Sequence, residues 1–216
     1  MARRGYSLTD DIALLVHLLS KRVDALSHLR PGQILHGISQ ARARTVHGVY
    51  AQCHGLRFRH GAISQPTRDG NAWVWPEIRV RGQTVLYYIT YFLPRFLDQP
   101  PTEKLHTLLH ELYHISPRFD GDLRRFAGRN EFHGSNYDRI IDGLVEEALP
   151  HVSAEQFEFL RCGFDELTAR HGAVTGNKLV RFKPRLLPAD AIPTTQAAQP
   201  QAPRTPARPG GQQRLF

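Results

Sequence analysis

Residues 110–114 read His-Glu-Leu-Tyr-His, which is an H-E-x-x-H pattern. On an α-helix, positions i and i+4 lie about 40° apart around the axis and about 6 Å apart along it. Both imidazoles therefore project from one face and can bind a single metal ion. Glu111 directly follows the first histidine, so its carboxylate can act as general base on a metal-bound water. The pattern predicts a catalytic metal site.

A helix is expected beneath this pattern. Thr102 is a suitable N-cap, and the apolar residues that follow, such as Leu105 and Leu109, recur at helical spacing. Pro117 ends the segment because a proline cannot continue a helix. We therefore predict a helix over residues 103–115, with its leucines in a core and its histidines facing a cleft.

A catalytic zinc ion usually takes three protein ligands and keeps a fourth position open. His133 is the best third ligand, because the preceding loop over residues 118–130 is rich in glycine and charge and can turn the chain back. An aspartate at position 120, 122 or 138 could accept the free N–H of a ligating histidine. The rival ligands to His133 are Glu131, Asp138, Glu146 and Glu147.

The stretch TEKLHTLLHELYHISPRFDGDLRRFAGRNEFHGSNYD resembles the phage metallopeptidase family. More distantly, it is similar to the SprT-like zincins, in which an H-x-x-x-[YF] element on a second helix follows the H-E-x-x-H helix. His133 and Tyr137 fit that second element. The resemblance extends over roughly residues 8–182. It departs from the metzincin pattern, because no H-x-x-G-x-x-H continuation follows His114.

The resemblance implies zinc bound by His110, His114 and His133, with Glu111 as the catalytic base. Hydrolysis of a peptide bond also needs a partner for the developing oxyanion besides zinc. Tyr137 is the expected catalytic residue in this role. The alternatives are Arg124, Arg125 and Arg129.

The remaining patterns predict an α+β, zincin-like domain with a small sheet beside the active-site helix. Strands 72–80 and 84–91 are the strongest, and a turn over residues 81–83 joins them as a hairpin. This hairpin is a candidate platform for an extended substrate, although its aromatic residues could equally be ordinary packing. Weaker strands are predicted over residues 33–39, 46–53 and 56–59, and further helices over residues 9–26, 135–148 and 153–171.

Residues 1–182 are long enough for one domain with a sizeable core. The two cysteines, Cys53 and Cys162, form no C-x-x-C pair, which favours reduced thiols in a reducing compartment. The apolar run over residues 12–19 is too short and too mixed for a signal peptide or a membrane span. We therefore expect a cytoplasmic protein.

Residues 183–216 contain seven prolines, five basic residues and one acidic residue. This composition predicts a disordered basic tail, whose charge could attract nucleic acid. The last five residues resemble the Q-x-x-L-F peptide that docks replication and repair proteins on the DNA sliding clamp. In that interpretation Gln212, Leu215 and Phe216 would make the contacts.

Together these features predict a zinc-dependent metallopeptidase that acts on a protein or peptide substrate, and the tail favours substrates associated with DNA. A nuclease-like zinc hydrolase is an alternative that would also suit a basic chain. A zinc-binding module without catalytic activity, recruited to DNA, is another. The presence of Glu111 argues against this last alternative, because a structural zinc site has no use for a base.

Overall fold

A computed structural model describes residues 5–45, 47–127, 131–134, 136–153 and 155–191. Within these residues the chain is mixed α+β, which confirms the predicted class. No helix in this part of the chain combines the length and apolar character that crossing a membrane requires. The helices are α1 (Leu8–Arg22), α2 (Pro101–Tyr113), α3 (Tyr137–Ala148), α4 (Glu158–Arg161) and α5 (Phe164–His171).

The strands form several small sheets, of which the mixed sheet β2-β8-β3 carries most of the fold. The others are the sheet β10-β5-β4 and the pairs β1-β9 and β6-β7. The strands are β1 (Tyr6–Ser7), β2 (Ile34–Gln40), β3 (Ala51–Gly55), β4 (Ser64–Pro66), β5 (Asn71–Val74), β6 (Arg79–Val80), β7 (Gln83–Thr84), β8 (Tyr87–Leu93), β9 (Val174–Thr175) and β10 (Arg185–Pro188).

Strand β8 lies at the centre of the mixed sheet, parallel to β2 and antiparallel to β3. Its side chains alternate between the faces, so Tyr87 and Ile89 point to one side and Tyr88 to the other. The first two belong to the main hydrophobic core, whereas Tyr88 belongs to a smaller second cluster. Helices cover the main-core face, where α1 contacts β2 and α2 contacts β3.

The predicted hairpin is present, but its turn covers Arg81 and Gly82 alone and its strands are much shorter than predicted. Arg81 and Gly82 have φ values of 51° and 79°, as a two-residue type I′ turn requires, and they join β6 to β7. Beyond that short pair, strands β5 and β8 belong to different sheets. Both edges of β8 are paired, so it cannot receive a substrate strand. Strand β3, at the outside of its sheet, is the strand that contacts α2.

Helix α2 buries an apolar stripe against the sheet and the other helices, as its spacing predicts. Burial of each leucine contributes roughly 1.5–3 kcal/mol, which holds the opposite face of α2 towards the cleft. The buried leucines are Leu105, Leu108, Leu109 and Leu112.

The predicted helix over residues 153–171 is instead two short helices, α4 and α5. The Lys104 ammonium donates to the carbonyls of Phe159 and Cys162, at 2.9 and 2.8 Å, where α4 ends. The Asp98 carboxylate accepts the N–H of Phe164, at 3.2 Å, where α5 begins. Because partners far away in sequence satisfy both helix ends, the break between them is stabilised.

Other predicted boundaries shift by a few residues. Helix α1 ends at Arg22 and a 3-10 turn over Asp24–Leu26 follows it. Residues 56–59 form no strand, and a 3-10 turn follows over Arg59–Gly61.

The prediction of a disordered tail from Lys183 onward is wrong for its first residues. Strand β10 pairs antiparallel with β5, with Leu186 opposite Trp73. The folded unit therefore extends past the predicted boundary at residue 182. Residues 192–216 lie outside the described part of the chain, including Gln212, Leu215 and Phe216 of the predicted clamp peptide.

Lys104 is 1% exposed, and its ammonium holds two buried carbonyls. We expect Lys104→Met to lower the free energy of unfolding by about 2–4 kcal/mol, because both carbonyls lose their donor. Chemical denaturation measures this change. The control Lys21→Met removes an exposed lysine of α1 and should change stability by less than about 0.5 kcal/mol. Equal stability of the two variants would contradict this account of the buried ammonium.

Candidate metal centre

Three histidines, His110, His114 and His133, lie close enough to hold one metal ion. One potential ligand atom from each lies within 4.8 Å of the others. The Nε2 atoms of His110 and His133 are 3.2 Å apart. Two nitrogens bound tetrahedrally to one zinc ion at 2.0–2.1 Å would be about 3.3–3.4 Å apart. The structure thus brings together the three histidines that the sequence predicts as ligands.

Helix α2 and the loop after it position the ligands. His110 lies on α2 and His114 caps its C-terminal end. The chain then reverses, because Ile115 and Leu123 form a β-bridge and the Arg124 N–H donates to the His114 carbonyl at 2.6 Å. This reversal is the one expected from the loop composition, and it leads the chain back towards His133.

The buried position of two imidazoles keeps them neutral at pH 7. Burial, together with the neighbouring histidines, lowers the pKa of His110 to about 4 and that of His114 to about 3. A neutral imidazole has a lone pair available for a metal. The Nδ1 atom of His114 is buried and has no hydrogen-bond partner in the described part of the chain. Three imidazole nitrogens are a ligand set that suits zinc.

Glu111 lies beside the histidines and is 7% exposed. Its Oε2 atom accepts the backbone N–H of Cys53, on strand β3, at 2.6 Å. Burial raises the pKa of Glu111 to about 7, and the hydrogen bond from Cys53 opposes the rise. A carboxyl with a pKa near 7 can both accept and return a proton at neutral pH.

A cleft of about 550 Å³ contains this group of side chains. Helix α2 lines one side of it and β3, with the residues preceding β3, lines another. Val49 and Phe132 line the same cleft, with exposed fractions of 54% and 36%. Exposed apolar side chains beside polar groups are typical of binding sites.

Tyr137 does not have the predicted orientation. Its ring packs against all three histidines, with centroid distances of 4.9, 5.4 and 4.8 Å to His110, His114 and His133. Its hydroxyl donates to the His110 carbonyl at 3.0 Å, and the residue is 3% exposed. In this geometry Tyr137 positions the motif helix instead of facing a substrate as an oxyanion donor.

The arginines proposed as alternative oxyanion partners are also engaged elsewhere. Arg124 donates from Nε to the Tyr113 carbonyl at 2.7 Å. Arg125 pairs with Asp122 at 3.1 Å and with Glu131 at 2.6 Å. The third candidate, Arg129, lies outside the described residues.

The rival acidic ligands do not join the histidine group among the described residues. Glu131 pairs with Arg59 as well as Arg125, and Glu147 accepts the N–H of Asp24. Glu146 and Asp138 are exposed on α3. Of the aspartates considered as partners of a ligating histidine, Asp122 binds Arg125 and Asp120 binds Arg118.

Two histidines that the sequence analysis did not select line the same cleft. His106 lies one helical turn before His110, with ring centroids 6.5 Å apart. The series 106, 110 and 114 has a spacing of four, so the sequence did contain this signal. His54 follows Cys53 on β3, and no spacing rule connects it to the motif. Sheet pairing, which is non-local, brings it there.

Comparison with known proteins assigns no family to this chain. No protein-family model matches the chain, and neither does any curated protein or solved structure. The resemblance to phage metallopeptidases and SprT-like zincins therefore stays a prediction. What the described residues show is a mixed α+β fold with three histidines grouped beside a buried glutamate in one cleft.

Proposed function

We propose that this chain is a zinc-dependent metallopeptidase that hydrolyses peptide bonds. One observation carries the proposal: His110, His114 and His133 converge in the cleft where the buried carboxylate of Glu111 lies. Three histidines leave a coordination position open, which distinguishes a catalytic from a structural zinc site. A zinc ion held there would polarise a peptide carbonyl and bring the pKa of water towards neutrality.

Glu111 is the proton carrier in this proposal. Its carboxylate accepts a proton from the attacking water and returns it to the leaving amine. The hydrogen bond from the Cys53 N–H fixes one carboxylate oxygen, so the other is the atom that exchanges the proton. Burial removes competing solvent from this carboxylate and holds its pKa near 7.

Neighbouring residues support the histidines and shape the cleft. Tyr137 packs beneath the three imidazoles and holds the His110 carbonyl. Val49 and Phe132 offer an apolar rim for substrate side chains. The outer strand β3 lines the cleft, and its Cys53 N–H holds the Glu111 carboxylate there.

The histidine group predicts that the purified protein carries about one zinc ion per chain, measured by inductively coupled plasma mass spectrometry. His133→Ala should lose most of this zinc, because two imidazoles hold zinc more weakly than three. The control His17→Ala, at an exposed position on α1, should keep it. Undiminished zinc in His133→Ala would rule out His133 as a ligand.

Glu111→Gln should keep its zinc and lose at least about 100-fold in the rate of casein hydrolysis, because the amide cannot accept the proton. Zinc content and thermal stability are measured on the same preparation. Glu103→Gln, an exposed substitution in the first turn of the same helix, is the matched control and should retain the wild-type rate. Full proteolysis by Glu111→Gln would refute the mechanism. Nuclease activity that depends on Glu111, without proteolysis, would favour the nuclease-like alternative.

Tyr137→Phe separates a positioning role from an oxyanion role. Loss of the hydrogen bond to the His110 carbonyl should lower the free energy of unfolding by about 1 kcal/mol. The rate of proteolysis should fall by less than about threefold, since the hydroxyl is already bonded to the His110 carbonyl, whereas loss of an oxyanion donor costs about 100-fold or more. A fall of that larger size in kcat, at unchanged zinc content, would restore Tyr137 to the catalytic role.

A further inference from the structure

A second cavity, of about 610 Å³, adjoins the metal cleft. His54 and Leu123 line both cavities. We name this second cavity the basic cavity, after four cationic residues in its wall. They are Arg57, Arg125, Arg181 and Lys183.

Strand β3 contributes to the walls of both cavities. Side chains of a strand alternate between its faces, so Ala51 and Cys53 point to the helix side, where both are buried in the main core. His54 points to the other side, where its ring stacks on Tyr88 at a centroid distance of 4.5 Å. The metal cleft and the basic cavity meet at His54, which lines both.

A peptide that passes His54 and Leu123, which line both cavities, reaches the metal cleft and the basic cavity at once. Alternate side chains of an extended peptide share one face, so those of one face can enter the basic cavity together. The basic cavity is too large for one side chain, so it can take side chains from several residues of such a peptide.

Most of the cationic side chains in the wall of the basic cavity have no carboxylate paired with them in the described part of the chain. Arg125 is neutralised, because it pairs with Asp122 and Glu131. Within the described residues no ion pair joins a carboxylate to Arg57, Arg181 or Lys183.

Arg57 is a half-buried cation of the cavity wall. Its Nη1 atom donates to the Leu56 carbonyl at 2.7 Å. Burial lowers the pKa of its guanidinium, and the charge of Glu77 opposes this shift without forming an ion pair. A half-buried guanidinium without an ion-pair partner is stabilised by an anionic ligand.

We propose that the basic cavity binds an acidic segment of the peptide substrate, next to the metal cleft. This inference rests on the proposed peptidase function for the identity of its ligand. An acidic-peptide site of this kind makes the peptidase selective for substrates that carry carboxylates at alternate positions. Arg57, Arg181 and Lys183 are the specificity-determining residues.

The aromatic residues of the cavity favour a peptide over a single-stranded nucleic acid. Trp75 packs against Phe58 at 6.0 Å, and Tyr88 lies between His54 and Phe182. A wall of rings packed on one another offers few faces for stacking bases. Among the large apolar side chains of the described cavity wall, Trp73 has the largest exposed fraction, 42%.

Peptide binding to full-length, zinc-loaded Glu111→Gln protein tests the proposal without requiring turnover. Three fluorescein-labelled peptides differ only in carrying glutamate, glutamine or lysine at alternate positions, and fluorescence polarisation gives each Kd. We expect the glutamate peptide to bind about tenfold more tightly than the lysine peptide, from two or three partly exposed ion pairs.

Arg181→Glu should abolish or invert this preference, and Arg57→Gln should reduce it. Lys178→Glu makes the same charge change at an exposed residue outside both cavities, so it controls for non-specific attraction and should keep the preference. Equal Kd values for the three peptides, or a preference that survives Arg181→Glu, would overturn the inference. An oligothymidylate that binds more tightly than the glutamate peptide, and is lost in Arg181→Glu, would overturn it in favour of nucleic acid.

Cleavage of the same three peptides by the wild-type protein tests the peptidase proposal separately. If wild-type protein cleaves none of the three peptides while the preference for glutamate holds, the acidic-peptide site stands and the proposed hydrolysis fails. If the wild type cleaves all three at equal kcat/KM and binds them equally, hydrolysis stands and the acidic-peptide site fails.

Discussion

The hydrogen bond from the Cys53 N–H to the Glu111 carboxylate joins the motif helix to the outer strand of the main sheet. A carboxylate buried to this degree is costly without a hydrogen-bond partner. On the other side of α2, the leucine stripe is buried in the core. These two requirements together fix the rotation of α2 about its axis. This rotation directs the side chains of His110 and His114 into the cleft that also contains His133.

The parts of the site that sequence reasoning predicts well are those set by local geometry. The spacing of four between His110 and His114 is a property of any helix, and the leucine period shows which face of α2 is buried. His133 was inferred with help from a family resemblance and from the composition of the intervening loop. The structure places it as expected because the chain reverses directly after α2, where Arg124 holds the His114 carbonyl.

The parts that sequence reasoning missed depend on partners far apart in the chain. Strand β8 has the apolar pattern of any strand, and only its pairing shows that it is central and that β3 is the outer strand. The break between α4 and α5 follows from Lys104, more than fifty residues earlier. Likewise β10 is ordered because β5 pairs with it, although its surroundings are rich in proline. Tyr137 was selected by its spacing, but spacing does not determine where a hydroxyl points.

The sequence separation of the contacts around Glu111 has a consequence for the order in which the site can assemble. His110 and His133 are 23 residues apart, whereas Glu111 and Cys53 are 58 residues apart, and β3 is in place only when β8 pairs with it. Contacts with longer loops cost more chain entropy to close and tend to form later. In a partly folded chain whose β3 has separated from β8, the three histidines can therefore stay together. The carboxylate of Glu111 would then lack its hydrogen bond from the Cys53 N–H. The centre becomes complete only when the sheet does.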